Sequence, residues 1–220
     1  MKIIITGSNG LLGQKLLHKL RQDSSVELIA TSKGENRVSE KKGYTYFNLD
    51  VTNNSAVAQL VANEKPQVVI NTAALTNVDL CESERKACDT LNVDGVRYLA
   101  DACDKIDAHL IQISTDFIFD GVDGPYTEED EPNPLSYYGL SKLKSEQLLQ
   151  AHSVKWTVLR TIIVFGVAEK LSKGNIVIWA KGALDKGDSL NIIDDQFRAP
   201  TLAEDLADIC ILAAKKKAFG

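Results

Sequence analysis

A chain of 220 residues, 25% charged and 44% hydrophobic, has ordinary globular composition and the length of one large domain, or of one domain with a small second lobe. Its net charge of -5 gives no footprint for nucleic acid or for an anionic membrane surface, and no run of about 18 apolar residues marks a spanning helix. Met1 and Lys2 lead straight into an apolar run, which leaves no signal peptide to expect, and Cys81, Cys88, Cys103 and Cys210 show no metal-ligand spacing; buried thiols in a reducing cytoplasm, without a metal, are the expectation.

Ile3, Ile4 and Ile5 run without a polar break, the pattern of a strand buried on both faces. From Gly10 onward the period becomes helical, with Leu12, Leu16, Leu17 and Leu20 on one side. Between them lie Gly7, Gly10 and Gly13, spaced Gly-x-x-Gly-x-x-Gly. Strand, glycine turn and helix form a receptor for a dinucleotide pyrophosphate. Glycines let the backbone approach, and the N–H groups at the helix start bind the negative charge.

Val26–Thr31 reads as the second strand, followed by Ser32, Lys33 and Arg37. An NAD site usually places an acidic residue here, for the ribose 2′-hydroxyl. A hydroxyl and two cations suit a 2′-phosphate instead, which favours NADPH, with NADH as the alternative. Tyr44–Asp50 is the third strand, with Asp50 and Val51 at the end where an adenine edge would lie. Asp50 is equally a candidate cap for the helix that follows Thr52 and runs to Glu64. Gln67–Asn71 is the fourth strand, leading into Thr72, Ala73 and Ala74, which are small enough to admit a cofactor.

A long helical region is expected from Glu82 to Ile106. Its apolar side is Ala87, Leu91, Val96, Leu99 and Cys103, and Asn92 and Gly95 interrupt it. Leu110–Ile113 is the fifth strand, ending at Ser114, Thr115 and Asp116. The acidic loop 121–134 is a solvated face. A helix then carries Tyr138 and Lys142, and Trp156–Arg160 is the sixth strand. Beyond Thr161 the pattern loosens. Helices near 175–185 and 202–216 bracket a strand near Leu190–Ile193, and the chain reads as truncated at its end. The alternation predicts an α/β fold, a Rossmann-type doubly wound parallel sheet over residues 1–160. Residues 161–220 are expected to supply a small substrate-binding lobe and to return to the core.

Tyr138 and Lys142 stand at i and i+4, so they share a helix face. A phenol with a pKa of about 10 is idle at neutral pH, and a neighbouring ammonium lowers that value. The tyrosine can then exchange a proton with a substrate oxygen. Ser114 and Thr115 stand at a strand's carboxyl end, where open α/β sheets bind ligands, and a hydroxyl there can donate to a carbonyl oxygen. Taken singly, each motif has an ordinary structural explanation.

Taken together, Gly7-x-x-Gly10-x-x-Gly13, Asp50-Val51, Asn71-Thr72-Ala73-Ala74, Ser114-Thr115-Asp116 and Tyr138-x-x-x-Lys142 resemble the extended short-chain dehydrogenase/reductases across essentially the whole chain. Ser114–Gly121, Pro134-Leu135-x-x-Tyr138-Gly139-x-Ser141-Lys142 and Asp195-Gln196-x-x-x-Pro200-Thr201 narrow the resemblance to the dTDP-4-dehydrorhamnose reductases, as do Thr76, Val78-Asp79, Asn92-x-x-Gly95-Val96 and Asp205-Leu206-Ala207. Those enzymes use NADPH or NADH to reduce a 4-keto sugar nucleotide.

The resemblance implies that Tyr138 donates a proton to the sugar C4 oxygen. Lys142 holds the nicotinamide ribose and lowers the Tyr138 pKa, and Thr115, with Ser114 beside it, bonds the carbonyl oxygen. Gly7, Asn9, Gly10, Leu11, Leu12 and Gly13 hold the pyrophosphate, Ser32 and Arg37 the 2′-phosphate, Asp50 and Val51 the adenine. Ala73, Ala74 and Thr76 line the nicotinamide half. It further implies a nucleotide-sugar substrate, no nucleic-acid or membrane partner, and a homodimer as the candidate assembly.

The chain departs from that family in two places. Ile162-Ile163 stand where those reductases often carry Ser-Trp, and Arg198 replaces a common glycine. Two alternatives share the pattern: another nucleotide-sugar epimerase or reductase, and an NADP-binding regulatory subunit like the methionine adenosyltransferase β subunit. A 4,6-dehydratase would need an acidic residue where Phe117 stands.

Overall fold

Six short strands lie side by side in one parallel sheet: β1 (Lys2–Thr6), β2 (Glu27–Ser32), β3 (Thr45–Asn48), β4 (Val68–Asn71), β5 (His109–Thr115) and β6 (Lys155–Thr161), in the order β3-β2-β1-β4-β5-β6. The computed structural model describes residues 1–171 and 174–220. The isoleucine run of β1 is explained by its neighbours. Ile3 and Ile5 face one apolar layer with Leu28, Ala30, Val68, Ile70 and Ile111, while Ile4 faces the other with Ile29, Val69 and Leu110. A strand covered on both faces has no use for alternation, and each such side chain is worth about 1.5–3 kcal/mol on burial.

Helix α1 (Leu11–Leu20) covers the first face together with the last helix, α8 (Ala203–Lys216), whose Leu206, Ala207, Cys210, Ala213 and Ala214 join the same layer. On the second face lie α2 (Asn54–Glu64), α5 (Gly95–Asp104) and the end of α6 (Tyr137–Gln150). The cap of α2 is Asn53, whose side chain accepts from Ala56 N–H. Asp50 is therefore not the cap; it accepts from the N–H and hydroxyl of Thr52 in a tight turn before the helix.

The expected long helix from Glu82 to Ile106 is not continuous. It divides into α3 (Val78–Ser83), α4 (Arg85–Asp89), one π turn (Thr90–Asp94) and α5. The π turn sits where Asn92 and Gly95 break the pattern, and Gly95 N–H donates to the Thr90 carbonyl. Ala87 is exposed rather than part of the apolar side, and Leu91 is half-buried.

Past β6, a short parallel pair, β7 (Val164–Phe165) with β8 (Thr201–Leu202), encloses α7 (Ile176–Leu184). No strand forms at Leu190–Ile193. That stretch is irregular and largely exposed, because no neighbouring strand edge offers it a partner. None of the residues of α7 is buried. Among the described residues, no helix is long and apolar enough to cross a membrane.

Candidate active site

The carboxyl ends of β1, β2, β4 and β5 open into one cleft of about 1270 Å³. That exceeds the roughly 300–1,000 Å³ of a single-ligand pocket and is room for two ligands side by side. One end is built by the glycine turn. Gly7 has φ +69°, and a Cβ there would stand 2.7 Å from the Ala73 N, so the turn after β1 can press against the segment after β4 only as glycine. Gly7, Asn9, Gly10, Leu11 and Leu12 line the cleft. Gly13 does not line it. A Cβ on Gly13 would meet the Gly7 carbonyl at 2.5 Å, so its part is to let α1 pack on the turn. At the cleft, α1 begins with no side-chain cap and no acidic residue in its first turn, which leaves its N–H groups and dipole to an anion.

Asn9 ties the glycine turn to the loop after β2. Its Nδ2 donates to the Glu35 carbonyl at 2.8 Å, and its Oδ1 accepts from Arg37 N–H at 2.9 Å. Ser32 and Arg37 both line the cleft there. Lys33, the other cation of the loop, is bound to Asp50 at 2.7 Å. Burial alone would push the Asp50 carboxyl up, but Lys33 and Thr52 hold it down at about 2. Arg37 is exposed and makes no ion pair among the described residues. Asp50 and Val51 form the adjoining wall.

The other end holds Ala73, Ala74, Thr76, Ser114, Thr115, Tyr138 and Lys142 together. Asn92, in the π turn, organises it. Its Oδ1 accepts from Leu75 N–H at 2.8 Å, and its Nδ2 donates to the Leu75 carbonyl and to Ser141 Oγ, both at 3.0 Å. One buried amide thus fixes the loop after β4 against α6. Ser136 caps α6 by accepting from Gly139 N–H, and a Cβ on Gly139 would stand 2.1 Å from the Phe117 carbonyl. The helix that carries Tyr138 and Lys142 is therefore seated directly on the segment after β5.

Lys142 is buried, and its Nζ donates to the Ile113 carbonyl at 2.6 Å. Burial pushes its ammonium down to about 8, against the pull of Glu146. Glu146, one turn further on, is itself buried and paired with Arg160 at 2.8 Å. Burial pushes the Tyr138 phenol up to about 12, against the Thr115 hydroxyl, with the Asp116 charge adding to the rise. The expectation that Lys142 lowers Tyr138 thus meets the opposite sign here: burial dominates the phenol, and the ammonium is spent on a backbone carbonyl. Ser114 Oγ is buried without a partner among the described residues, a condition that polar ligands commonly relieve.

The far wall comes from Thr161, Ile163, Val164, Leu171 and Asn175, within the stretch expected to supply the substrate lobe; of these, the sequence singles out only Ile163. Ile163 has φ +31°, a strained conformation for a β-branched residue. No local pattern marks that segment. Gln14 holds it, donating to the Glu169 carbonyl and accepting from Glu169 N–H, both at 2.8 Å. Cys81 and Cys88 lie beneath α6 with their Sγ atoms 2.9 Å apart, and all four cysteines are buried. Among the described residues, no group of His, Cys, Asp or Glu is placed to hold a metal ion.

Comparison with known proteins gives a consistent picture. The RmlD substrate binding domain family matches residues 1–219. A dTDP-4-dehydrorhamnose reductase of Aggregatibacter actinomycetemcomitans is 35% identical over 100% of this chain and 69% of its own length. The methionine adenosyltransferase 2 subunit beta of Bos taurus is 32% identical over 98% of this chain and 63% of its own. The chain thus spans about two thirds of these relatives. Among solved structures, a dTDP-4-dehydrorhamnose reductase of Clostridium acetobutylicum superposes with a TM-score of 0.87 at 36% identity, over 100% of this chain and 72% of that one. The Bacillus anthracis reductase, solved with NADP, gives 0.83 at 30% identity, again over 100% and 72%.

Proposed function

The chain belongs to the RmlD substrate binding domain family, and from that membership and the cleft we propose that it is an NADPH-dependent reductase of a 4-keto sugar nucleotide, dTDP-4-dehydrorhamnose or a close relative. The observation that carries the reading is the convergence of Ser114, Thr115, Tyr138 and Lys142 in one cleft with the glycine turn. The residues present fit a dinucleotide: glycines where any Cβ would collide, an uncapped helix start, and Arg37 on the rim.

Gly7, Asn9, Gly10, Leu11 and Leu12 hold the pyrophosphate. Ser32 and Arg37 take the 2′-phosphate, and NADH is the weaker alternative. Asp50 and Val51 border the adenine, and Ala73, Ala74 and Thr76 the nicotinamide half. Lys142 orients the nicotinamide ribose from its seat on the Ile113 carbonyl. When bound, NADPH supplies the hydride for the sugar carbon. Thr115 and Ser114 bond the ketone oxygen and stabilise the charge that grows on it. Tyr138 gives that oxygen its proton. A phenol held up at about 12 is protonated throughout neutral pH, the form a donor needs.

The relatives named as regulatory subunits are 32% identical, and turnover separates that reading from catalysis. Tyr138→Phe is expected to lower turnover of the keto sugar by roughly 10²-fold or more, while the NADPH dissociation constant stays within about twofold, since no phosphate contact is touched. Undiminished turnover would take the proton-donor role away from Tyr138.

A further inference from the structure

Arg198 stands in the exposed segment between α7 and β8, yet its side chain reaches the residues that follow Thr115. Its Nη1 pairs with Asp116 Oδ2 at 3.0 Å, and its guanidinium lies 4.7 Å above the centre of the Phe117 ring. The other Asp116 oxygen, Oδ1, accepts the Thr115 hydroxyl at 3.1 Å, and Phe117 N–H donates to Thr115 Oγ1 at 3.2 Å. The Phe117 ring meets the Tyr138 ring edge-on, 5.7 Å between centres at 73°. One side chain therefore holds both residues that frame Thr115 and Tyr138.

A threonine hydroxyl carries a single proton. Thr115 has it within reach of Asp116 and of the Tyr138 oxygen, and while Asp116 holds it that proton cannot go to a ketone oxygen. A guanidinium on the carboxylate's other oxygen draws off part of its charge and weakens its claim on that proton. We propose that Arg198 is a positioning residue for the reduction: by engaging Asp116 and Phe117 it releases the Thr115 proton toward the substrate and holds the Tyr138 ring in place. This rests on the reading of Thr115 and Tyr138 as the groups that meet the ketone.

The test compares the wild type with Arg198→Gln, Arg198→Lys and Asp116→Asn. Arg198→Gln is expected to lower kcat roughly tenfold, the worth of one charged hydrogen bond at a partly exposed site, with KM for NADPH within about twofold, as expected where no cofactor contact is lost. Arg198→Lys, which keeps the charge, recovers part of the rate. A second readout does not depend on activity. Phe197 is 97% exposed beside the tie, and chymotrypsin should cleave after it several-fold faster in Arg198→Gln and Asp116→Asn alike, since a segment freed of its tie opens locally. Unchanged kcat in Arg198→Gln overturns the positioning role. A wild type that binds NADPH but reduces no 4-keto sugar defeats the proposed function instead. Cleavage then decides the tie: faster in both variants supports it, equal to wild type overturns it.

Discussion

At the scale of single residues, the cleft is defined by what burial does to charge. Lys142 sits in the interior with its ammonium on one backbone carbonyl and a pKa near 8, against an ordinary value of 10.5. The sign follows directly. Between those two values this one group holds more protons in the unfolded chain than in the folded one, so its contribution to stability rises with pH through that window and is lower below it. Replacing Lys142 with Met should remove this rise, whose slope is at most about 1.4 kcal/mol per pH unit. Urea unfolding of both proteins at a series of pH values checks it, and parallel curves would refute it. Arg37 offers the complementary case of an exposed charge. Arg37→Ala should weaken NADPH roughly tenfold more than NADH, as a screened charged contact to a phosphate would. Equal losses in titrations with the two cofactors would dismiss the 2′-phosphate contact.

At the scale of elements, the glycine turn, the Tyr138–Lys142 pair and the six strands were legible because each is encoded locally. Contiguous β-branched residues make a doubly covered strand, and a helical period makes the face that meets it. The elements that were not legible depend on partners far away in sequence. The Leu190–Ile193 stretch has strand-forming residues but no edge to pair with. Ile163 lines the cleft only because Gln14 and β8 fix the strand end around it. The Arg198–Asp116 tie spans 82 positions. The π turn lies between these cases: Asn92 and Gly95 were visible as interruptions, but not as the point where α6 and the loop after β4 are joined. π turns favour functional sites, and this one aims a buried amide at both Leu75 backbone groups, at Ser141 Oγ and at Cys88 Sγ. Asn92→Ala should cost about 2–3 kcal/mol, because the Leu75 backbone groups lose their bonds in a buried place. Chemical denaturation measures that loss, and a cost near zero would mean that water replaces the amide.

At the scale of the whole molecule, the sheet order places β1 and β4 side by side where the chain reverses its direction of winding. Open α/β sheets bind ligands at that switch point, and the glycine turn opens there. The parallel, doubly wound character of the sheet was legible in the sequence because strands and helices alternate along the chain. The part of the far wall from Leu171, Gly174 and Asn175 was not, since those residues carry no motif of their own. α8 closes the fold by packing on α1, so the residues that follow the cleft's far wall end in the same apolar layer as the glycine-turn helix. The architecture thus joins a glycine-rich turn to a polar pocket holding a phenol, two hydroxyls and a buried ammonium. The central claim is that this pocket reduces a ketone. The most direct measurement is the oxidation of NADPH, followed by its near-ultraviolet absorbance, with dTDP-4-dehydrorhamnose added to the purified chain. The account predicts absorbance loss that needs both protein and sugar and slows by roughly 10²-fold or more in Tyr138→Phe. Tight NADPH binding with no oxidation above the rate without protein would contradict it.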